Sequence, residues 1–562
     1  MAGNILTPVA IWDGFQTDIV PERTVIEEQS CGDVKITRCF IEGRKINQQR
    51  VKIFVTITES VSVSSAPAIL LVEDFEVGYD EKLAKDLANR GYYVVSIDLA
   101  GEREGCEYFT QYPEEISYAN YQNVKDKLYM VENDVVQTCW YEWGCVIRYV
   151  IAHLKAKQEI TSIGALGFGE SATSLWHVAG FDTALSCVVF ALNAGWLGYR
   201  DIHKFSGQIE PQFSDDAYKF LAGIEPQAYA SRVKCPTLIV SPTNSRAFDC
   251  DRAFDTISRM DKDVYTAIHY SVGYRNRVSG EAYNDVISFF EEYLLNDGKN
   301  ELPCEPDIKM EIVNGKAIIT VSPDDNGLKN VSVYVSEQIT EPSKRCWVKL
   351  TKPDAKTEEG FVFEYSPYYQ SGVVTAFAKA QNKKGFVVGS AVICKKFQAE
   401  EVFKGYKSNV VYSSRKENAE SIFSAANQDA FDNSKIDFSS ERRVQVLKGP
   451  MDIPGVYCKW GLLTFKINAL KDKPNEDAIF MFDCYSKDNK EITVKMITDY
   501  YGNKTEYMAK VNLLGGEIWH NVKLEKIKFK TTEGLSLKSY EQVTAIEFDG
   551  EGEWLINNAL WV

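Results

Sequence analysis

Residues 162–174 read Ser162-Ile163-Gly164-Ala165-Leu166-Gly167-Phe168-Gly169-Glu170-Ser171-Ala172-Thr173-Ser174. An apolar run, Ile163 to Phe168, meets a glycine-rich turn and passes straight into a helix-like segment. A strand that turns sharply into a helix is where a covered parallel sheet can present a nucleophile, in the pattern Gly-x-Ser-x-Gly. The five positions here are Gly167-Phe168-Gly169-Glu170-Ser171. Gly169 stands where the nucleophile would, with no side chain to attack anything.

On both sides of this turn the sequence alternates between strand-like and helix-like segments. Residues 68–72, 92–98, 185–192, 236–240 and 264–272 are short apolar runs. Between or after them, 79–90, 134–154, 252–260 and 281–295 carry apolar residues at helical spacing. This alternation predicts a mostly parallel sheet with helices on both faces. The segment 196–230 interrupts it, as an insertion over the carboxyl edge of the sheet would, and ligands bind at that edge. Residues 34–41 and 51–57 alternate with period two and read as antiparallel strands of a β-rich lead-in.

Beyond a polar linker at 296–306 the sequence is all-β. Strands are expected at 309–313, 316–321, 331–335 and 373–378, with Asn314-Gly315 as a hairpin turn. A longer β block follows, with strands at 461–467, 478–485 and 492–497, while 413–441 is polar and reads as a loop or weak helix. The expected fold class is therefore α/β with a mostly parallel sheet, followed by two all-β sandwich domains. The boundaries read as a lead-in over 1–66, an α/β domain over 67–298, a small sandwich over 303–398 and a jelly-roll-sized block over 408–562.

Composition narrows the function classes. The chain has 562 residues and a net charge of −16, which argues against nucleic acid and anionic membrane as partners, since both demand clustered Lys and Arg. No basic, apolar leader and no 18-residue apolar run is present, so a cytoplasmic protein without a membrane segment is expected. Thirteen cysteines, scattered and without a Cys-x-x-Cys pair, fit a reducing compartment. No phosphate-binding or dinucleotide loop occurs, and no cofactor is expected. The carboxylate pairs Asp324-Asp325 and Asp249-x-Asp251 read as turn or helix-start residues, so no metal is expected.

Residues 68–295 resemble the dienelactone-hydrolase and acetyl-xylan-esterase branch of the α/β-hydrolases. The resemblance rests on Asp98-Leu99-Ala100-Gly101-Glu102 after the second apolar run, the helix bearing Trp140 and Trp143 before the elbow, and Val233-Lys234-Cys235-Pro236-Thr237 opening a late strand. It implies a Ser nucleophile, an acid after a late strand and a His after the last strand, in that order. Gly169 holds the first position. Thr243-Asn244-Ser245 puts Ser245 where a family Asp stands, and Ser271-Val272-Gly273-Tyr274 puts Tyr274 where the His stands. All three groups are missing, and loss of any one costs orders of magnitude in rate.

Ser171, Glu170, His269 and Cys250 are the candidate substitutes. Ser171 lies inside the helix, Glu170 sits where a first-turn carboxylate is stabilised by the helix N-terminus, His269 lies on a strand, and Cys250 between two carboxylates is a poor thiolate. Glu170, Ser171 and Asp249 are left as residues of a vestigial cleft. The small sandwich resembles a fibronectin type III or immunoglobulin-like spacer, with Trp347 of Arg345-Cys346-Trp347 expected between its sheets. The last block resembles carbohydrate-binding jelly rolls through residues 515–522 and the closing Asn557-Asn558-Ala559-Leu560-Trp561. Tyr457, Trp460, Tyr500 and Tyr501 are its candidate sugar platforms.

The expected function is a catalytically silent pseudo-esterase that binds or scaffolds, with a carbohydrate or an acylated small molecule as candidate ligand. The alternatives are an esterase with a relocated catalytic set and a structural, self-assembling subunit forming a homo-oligomer.

Overall fold

The structure is a computed structural model. It describes residues 5–76, 78–209, 212–245, 247–273, 277–296, 302–322, 328–368, 371–397, 408–426, 436–437, 444–500 and 502–562.

Nine strands form the first sheet: β1 (Arg23–Cys31), β2 (Val34–Ile46), β3 (Gln49–Ser60), β4 (Ala66–Val72), β5 (Tyr93–Ile97), β6 (Ile160–Phe168), β7 (Leu185–Ala191), β8 (Thr237–Pro242) and β9 (Thr266–Ser271). Their order across the sheet is β1-β2-β3-β5-β4-β6-β7-β8-β9. The six strands from β5 to β9 run parallel, and β3 joins β5 antiparallel with Val55 opposite Ile97. The lead-in strands therefore extend the same sheet. β4 and β5 are buried along their whole length, as strands covered on both faces must be. β1 is mostly exposed and carries Glu27 and Glu28, whose charges protect an open sheet edge.

Helices cover both faces. Residues Glu81–Asn89 start at Asp80, whose side chain accepts from Leu83 N. The expected helix over 134–154 is a single 3₁₀ turn, Val135–Gln137, followed by Cys139–Lys155. Trp140 and Trp143 lie on its buried face, and their indole N–H groups donate to Leu128 O at 2.8 Å and Ala119 O at 2.9 Å. Those two bonds fix the irregular segment that crosses the carboxyl edge of the sheet. The insertion at 196–230 contributes helices Asp215–Gly223 and Pro226–Tyr229.

Two β-sandwiches follow. The first pairs a four-stranded sheet with a five-stranded one, and the second pairs six strands with five. Strands Asp307–Val313 and Lys316–Ser322 meet through Asn314 at φ +49° and Gly315 at φ +77°. Both positive angles identify the type I′ turn that Asn-Gly predicts. α/β with a mostly parallel sheet, then all-β, is thus the observed fold class.

The junction between the sheet and the first sandwich is a packed one. In the strand pair Leu328–Glu337 and Gly372–Asn382, Val333, Val335, Ala376 and Ala378 face the sandwich interior, while Tyr334 and Phe377 face the α/β unit. Phe377 packs on Tyr270 of β9 with ring centroids 4.8 Å apart. Trp347 meets Phe377 edge-on at 4.8 Å. It is buried at this junction, where the sequence placed it between the sheets of the sandwich. A Cβ on Gly389 would stand 2.5 Å from the Tyr270 ring, so only glycine lets that strand lie against β9. All thirteen cysteines are free.

Candidate functional site

The elbow forms as its sequence requires. β6 ends at Phe168, Gly169–Ser171 make one 3₁₀ turn, and the helix Ala172–Ala179 begins at once. Gly169 has φ +54°, the left-handed conformation in which a nucleophile elbow holds its residue. A side chain here would need Asp74 to give way by a few tenths of an ångström. Among the described residues, only Asp74 Oδ2 at 3.2 Å and Phe248 Cζ at 3.9 Å lie within 4 Å of where its Cβ would stand. Asn193, just after β7, donates through Nδ2 to Gly169 O at 2.7 Å and to Thr173 Oγ1 at 3.0 Å, and so pins the turn from behind.

The nearest ionisable group is a carboxylate. Asp74 belongs to the loop after β4, and its Oδ1 accepts from Glu76 N at 3.1 Å. In a hydrolase of this architecture that loop helps to form the oxyanion hole. A carboxylate facing the elbow opposes the negative charge that acyl transfer develops, which is the reverse of a preorganised donor.

The two candidate cleft residues next to Gly169 have partners of their own. Ser171 is fully buried, and its hydroxyl donates to Phe168 O at 2.7 Å and Val72 O at 3.3 Å, which ties the turn to β4. Glu170 pairs with Arg200 at 2.5 Å and accepts from the Tyr129 hydroxyl. The Arg200 guanidinium lies 4.3 Å from the Tyr129 ring centroid. Burial and the Glu170 charge push the Tyr129 phenol far above its ordinary range, so it stays a neutral donor. Tyr129 and Arg200 were not visible as site residues in the sequence, because both sit in irregular segments. The Trp140 bond to Leu128 O is what delivers Tyr129 to the cleft.

The loop after β8 forms part of the joint with the first sandwich. Ser245 Oγ accepts from Ala247 N at 3.1 Å and Phe248 N at 3.2 Å, a local turn cap. Asn244 Nδ2 donates to Arg345 O at 2.5 Å and Ser343 O at 3.3 Å. Arg345 itself reaches in from the first sandwich and grips Asp251 with two bonds, 2.5 and 2.7 Å, with both side chains sealed from solvent. Asp249 caps the helix Cys250–Ile257 through Asp251 N and pairs with Arg252 at 3.1 Å. Burial first, then the Asp251 charge, raises its carboxyl above the usual range. Cys250 is buried and its thiol is pushed well up by that burial and by Asp251.

The histidines have structural partners. His153 bonds Pro21 O, His177 bonds Ile224 O at 2.7 Å and stacks on Tyr229, and His520 bonds Leu514 O. His203 lies 3.9 Å from Glu341. His269 Nδ1 meets Asp285 Oδ2 at 2.6 Å, a base-and-orienter geometry, and its Nε2 lies 3.9 Å from Glu281. Asp285 in turn accepts from Val387 N of the sandwich at 3.2 Å. Tyr274 lies outside the described residues, as do Asp324-Asp325 and Tyr501. Among the described residues, no group of three or more His, Cys, Asp or Glu side chains could hold a metal ion. Among them too, no helix is long and apolar enough to cross a membrane.

In the second sandwich the candidate platforms have separate neighbours. Tyr457 meets Trp554 edge-on at 6.0 Å. Tyr500 meets Phe465 at 5.1 Å and lies under Lys504 Nζ, 5.0 Å from its ring. Trp460 packs against the sandwich core. All three are half-buried.

No family model and no curated protein matches the chain. Solved structures similar to it are esterases and hydrolases that align with about its first half. Acetyl xylan esterase 1 from Thermoanaerobacterium sp. JW/SL YS485 is 11% identical with a TM-score of 0.35, covering 50% of this chain and 90% of its own. The acetyl xylan esterase from Paenibacillus sp. R4 is 11% identical with a TM-score of 0.37, covering 51% and 92%. A putative dienelactone hydrolase from Klebsiella pneumoniae subsp. pneumoniae MGH 78578 is 12% identical with a TM-score of 0.28, covering 42% and 85%.

Proposed function

We propose that this chain is a catalytically silent α/β-hydrolase-fold protein that works by binding or scaffolding. The observation that carries the reading is Gly169: an elbow with the left-handed backbone of a nucleophile position and no side chain there. Two neighbouring features support it. Asp74 puts a carboxylate against the elbow, and the loop after β8 is committed to holding Arg345. A carbohydrate or acylated small molecule in the former cleft, lined by Glu170, Tyr129 and Arg200, is the ligand class this reading favours.

The test is activity-based labelling of the full chain. A fluorophosphonate probe and p-nitrophenyl acetate are expected to give no labelled serine and no turnover above buffer. Stoichiometric labelling of one serine with turnover would overthrow the reading. Affinity electrophoresis in xylan and related glycans addresses the sugar-linked part, with Trp460→Ala as the site control.

A further inference from the structure

Residues 343–347 of the first sandwich touch both of its neighbours. At Arg345 the backbone is extended, with φ −68° and ψ 140°. Successive side chains of an extended chain point to opposite sides. Arg345 and Trp347 accordingly serve the joint with the α/β unit, the one gripping Asp251 and the other meeting Phe377, which packs on Tyr270 of β9. Cys346, between them, packs against the core of the second sandwich. Burial pushes its thiol up to about 12, and the charged neighbours that act on it next, Lys466, Asp472, Lys471 and Glu417, all belong to the second sandwich.

The backbone carbonyls divide in the same way. Asn244, in the loop after β8, donates to Ser343 O at 3.3 Å and to Arg345 O at 2.5 Å. Asn468 of the second sandwich donates to Lys344 O, between them, at 3.4 Å. A second strut crosses the same seam. Lys471 Nζ donates to the Tyr365 hydroxyl at 2.8 Å, and that hydroxyl donates to the buried Glu337 Oε2 at 3.1 Å. Charge-assisted bonds of this kind are the stronger ones, and they fix geometry as well as adding energy.

The other end of these contacts is the elbow. The loop anchored by Asn244 carries Phe248, whose N–H donates to Ser245 Oγ at 3.2 Å. Phe248 Cζ lies 3.9 Å from where a Cβ on Gly169 would stand. From Asn468 to Gly169 the contacts run through buried or half-buried groups without a break, the kind of contiguous network that carries coupling between sites.

We infer that residues 343–347 are a mechanical link through which the second sandwich holds the loop after β8, and with it the cleft at Gly169, in place. A ligand or partner that pulls on the second sandwich is then felt at the cleft. The inference goes beyond the silent-hydrolase reading and stands whether or not the elbow has lost its chemistry.

The experiment is hydrogen–deuterium exchange of the full chain, read by peptide, in two variants that cut the link at opposite ends. Asn468→Ala with Lys471→Met cuts it from the second sandwich and should raise exchange at residues 247–257 by about fivefold or more, the lower end of ordinary coupling. Coupling is reciprocal, so Asn244→Ala should raise exchange at residues 466–472 to a similar degree. Each variant stands as the test if the other fails to fold. Exchange in β4 and β5 should stay as in the wild type, which separates a transmitted local opening from a general loss of stability. Wild-type exchange at the far end of the link in either variant, or a rise of equal size in β4 and β5, would overturn the inference.

Discussion

Arg345→Met should loosen the joint between the α/β unit and the first sandwich. Arg345 makes two bonds to Asp251 and donates to Ile339 O at 3.0 Å and Thr340 O at 2.9 Å. Both side chains of the ion pair are fully buried. Removing the guanidinium leaves the Asp251 carboxylate without a countercharge, and breaking a buried pair from one side costs about 3–5 kcal/mol. Asp251→Asn together with Arg345→Met removes both charges, and a buried pair replaced by neutral groups of similar volume is often close to neutral. The double variant should therefore recover about 2–3 kcal/mol of the single-variant loss, as a coupling energy. Urea denaturation followed by tryptophan fluorescence reads this directly, because Trp347 lies in the joint 5.4 Å from the guanidinium carbon. A loss below about 1 kcal/mol for Arg345→Met, or a double variant as unstable as the sum of the singles, would refute the role given to the pair.

Gly169→Ser should cost about 1–2 kcal/mol, the price of a left-handed conformation for an L-residue, and should restore no hydrolysis of p-nitrophenyl acetate; a rate gain of about a hundredfold or more would mean that a base exists which the described residues do not contain. His177 is buried and neutral, its pKa lowered to about 4 by burial. Its contribution is full above about pH 6.5 and is lost as pH falls towards 4, by up to about 3 kcal/mol, because the unfolded state takes a proton that the folded state refuses. His177→Phe should flatten the acid limb of a urea-midpoint profile. Glu73, raised to about 8, acts in the opposite sense. Its contribution is full below about pH 4.5 and is lost as pH rises through 8, so Glu73→Gln should remove a loss of up to about 4 kcal/mol that builds up between about pH 4.5 and 8.

Much of the framework was legible because local signals and burial agree. The run Ile163–Phe168, its glycine turn and the helix after it sit in one continuous stretch, and a buried parallel strand must read as apolar. Asn314-Gly315 carried its turn type in two residues. β1 was not legible, since an exposed edge strand rich in Glu has no alternation to find. At the site, the glycine at position 169 was readable, while the side chains around it were not. Asp74, Tyr129 and Arg200 come together from three loops, and nothing in one-dimensional spacing marks a residue that arrives by tertiary packing. Arg345-Cys346-Trp347 stood out in the sequence, but its partner Asp251 lies 94 positions away. Trp347 fits equally well inside a sandwich or against its outside until β9 is seen beside it.

The central strands Leu328–Glu337 and Gly372–Asn382 bury residues on both faces: one side closes their own sandwich, and on the other Tyr334 and Phe377 lie against the α/β unit. During synthesis this sets an order of events. Every strand of the α/β sheet has been made when Leu295 is added, yet Tyr270 still awaits Phe377. At about 5–20 residues per second, the roughly 80 residues from Leu295 to Phe377 take on the order of 4–16 seconds. Through that interval an aromatic patch on the flank of a finished sheet stays bare, and a chaperone or a second nascent chain can reach it first.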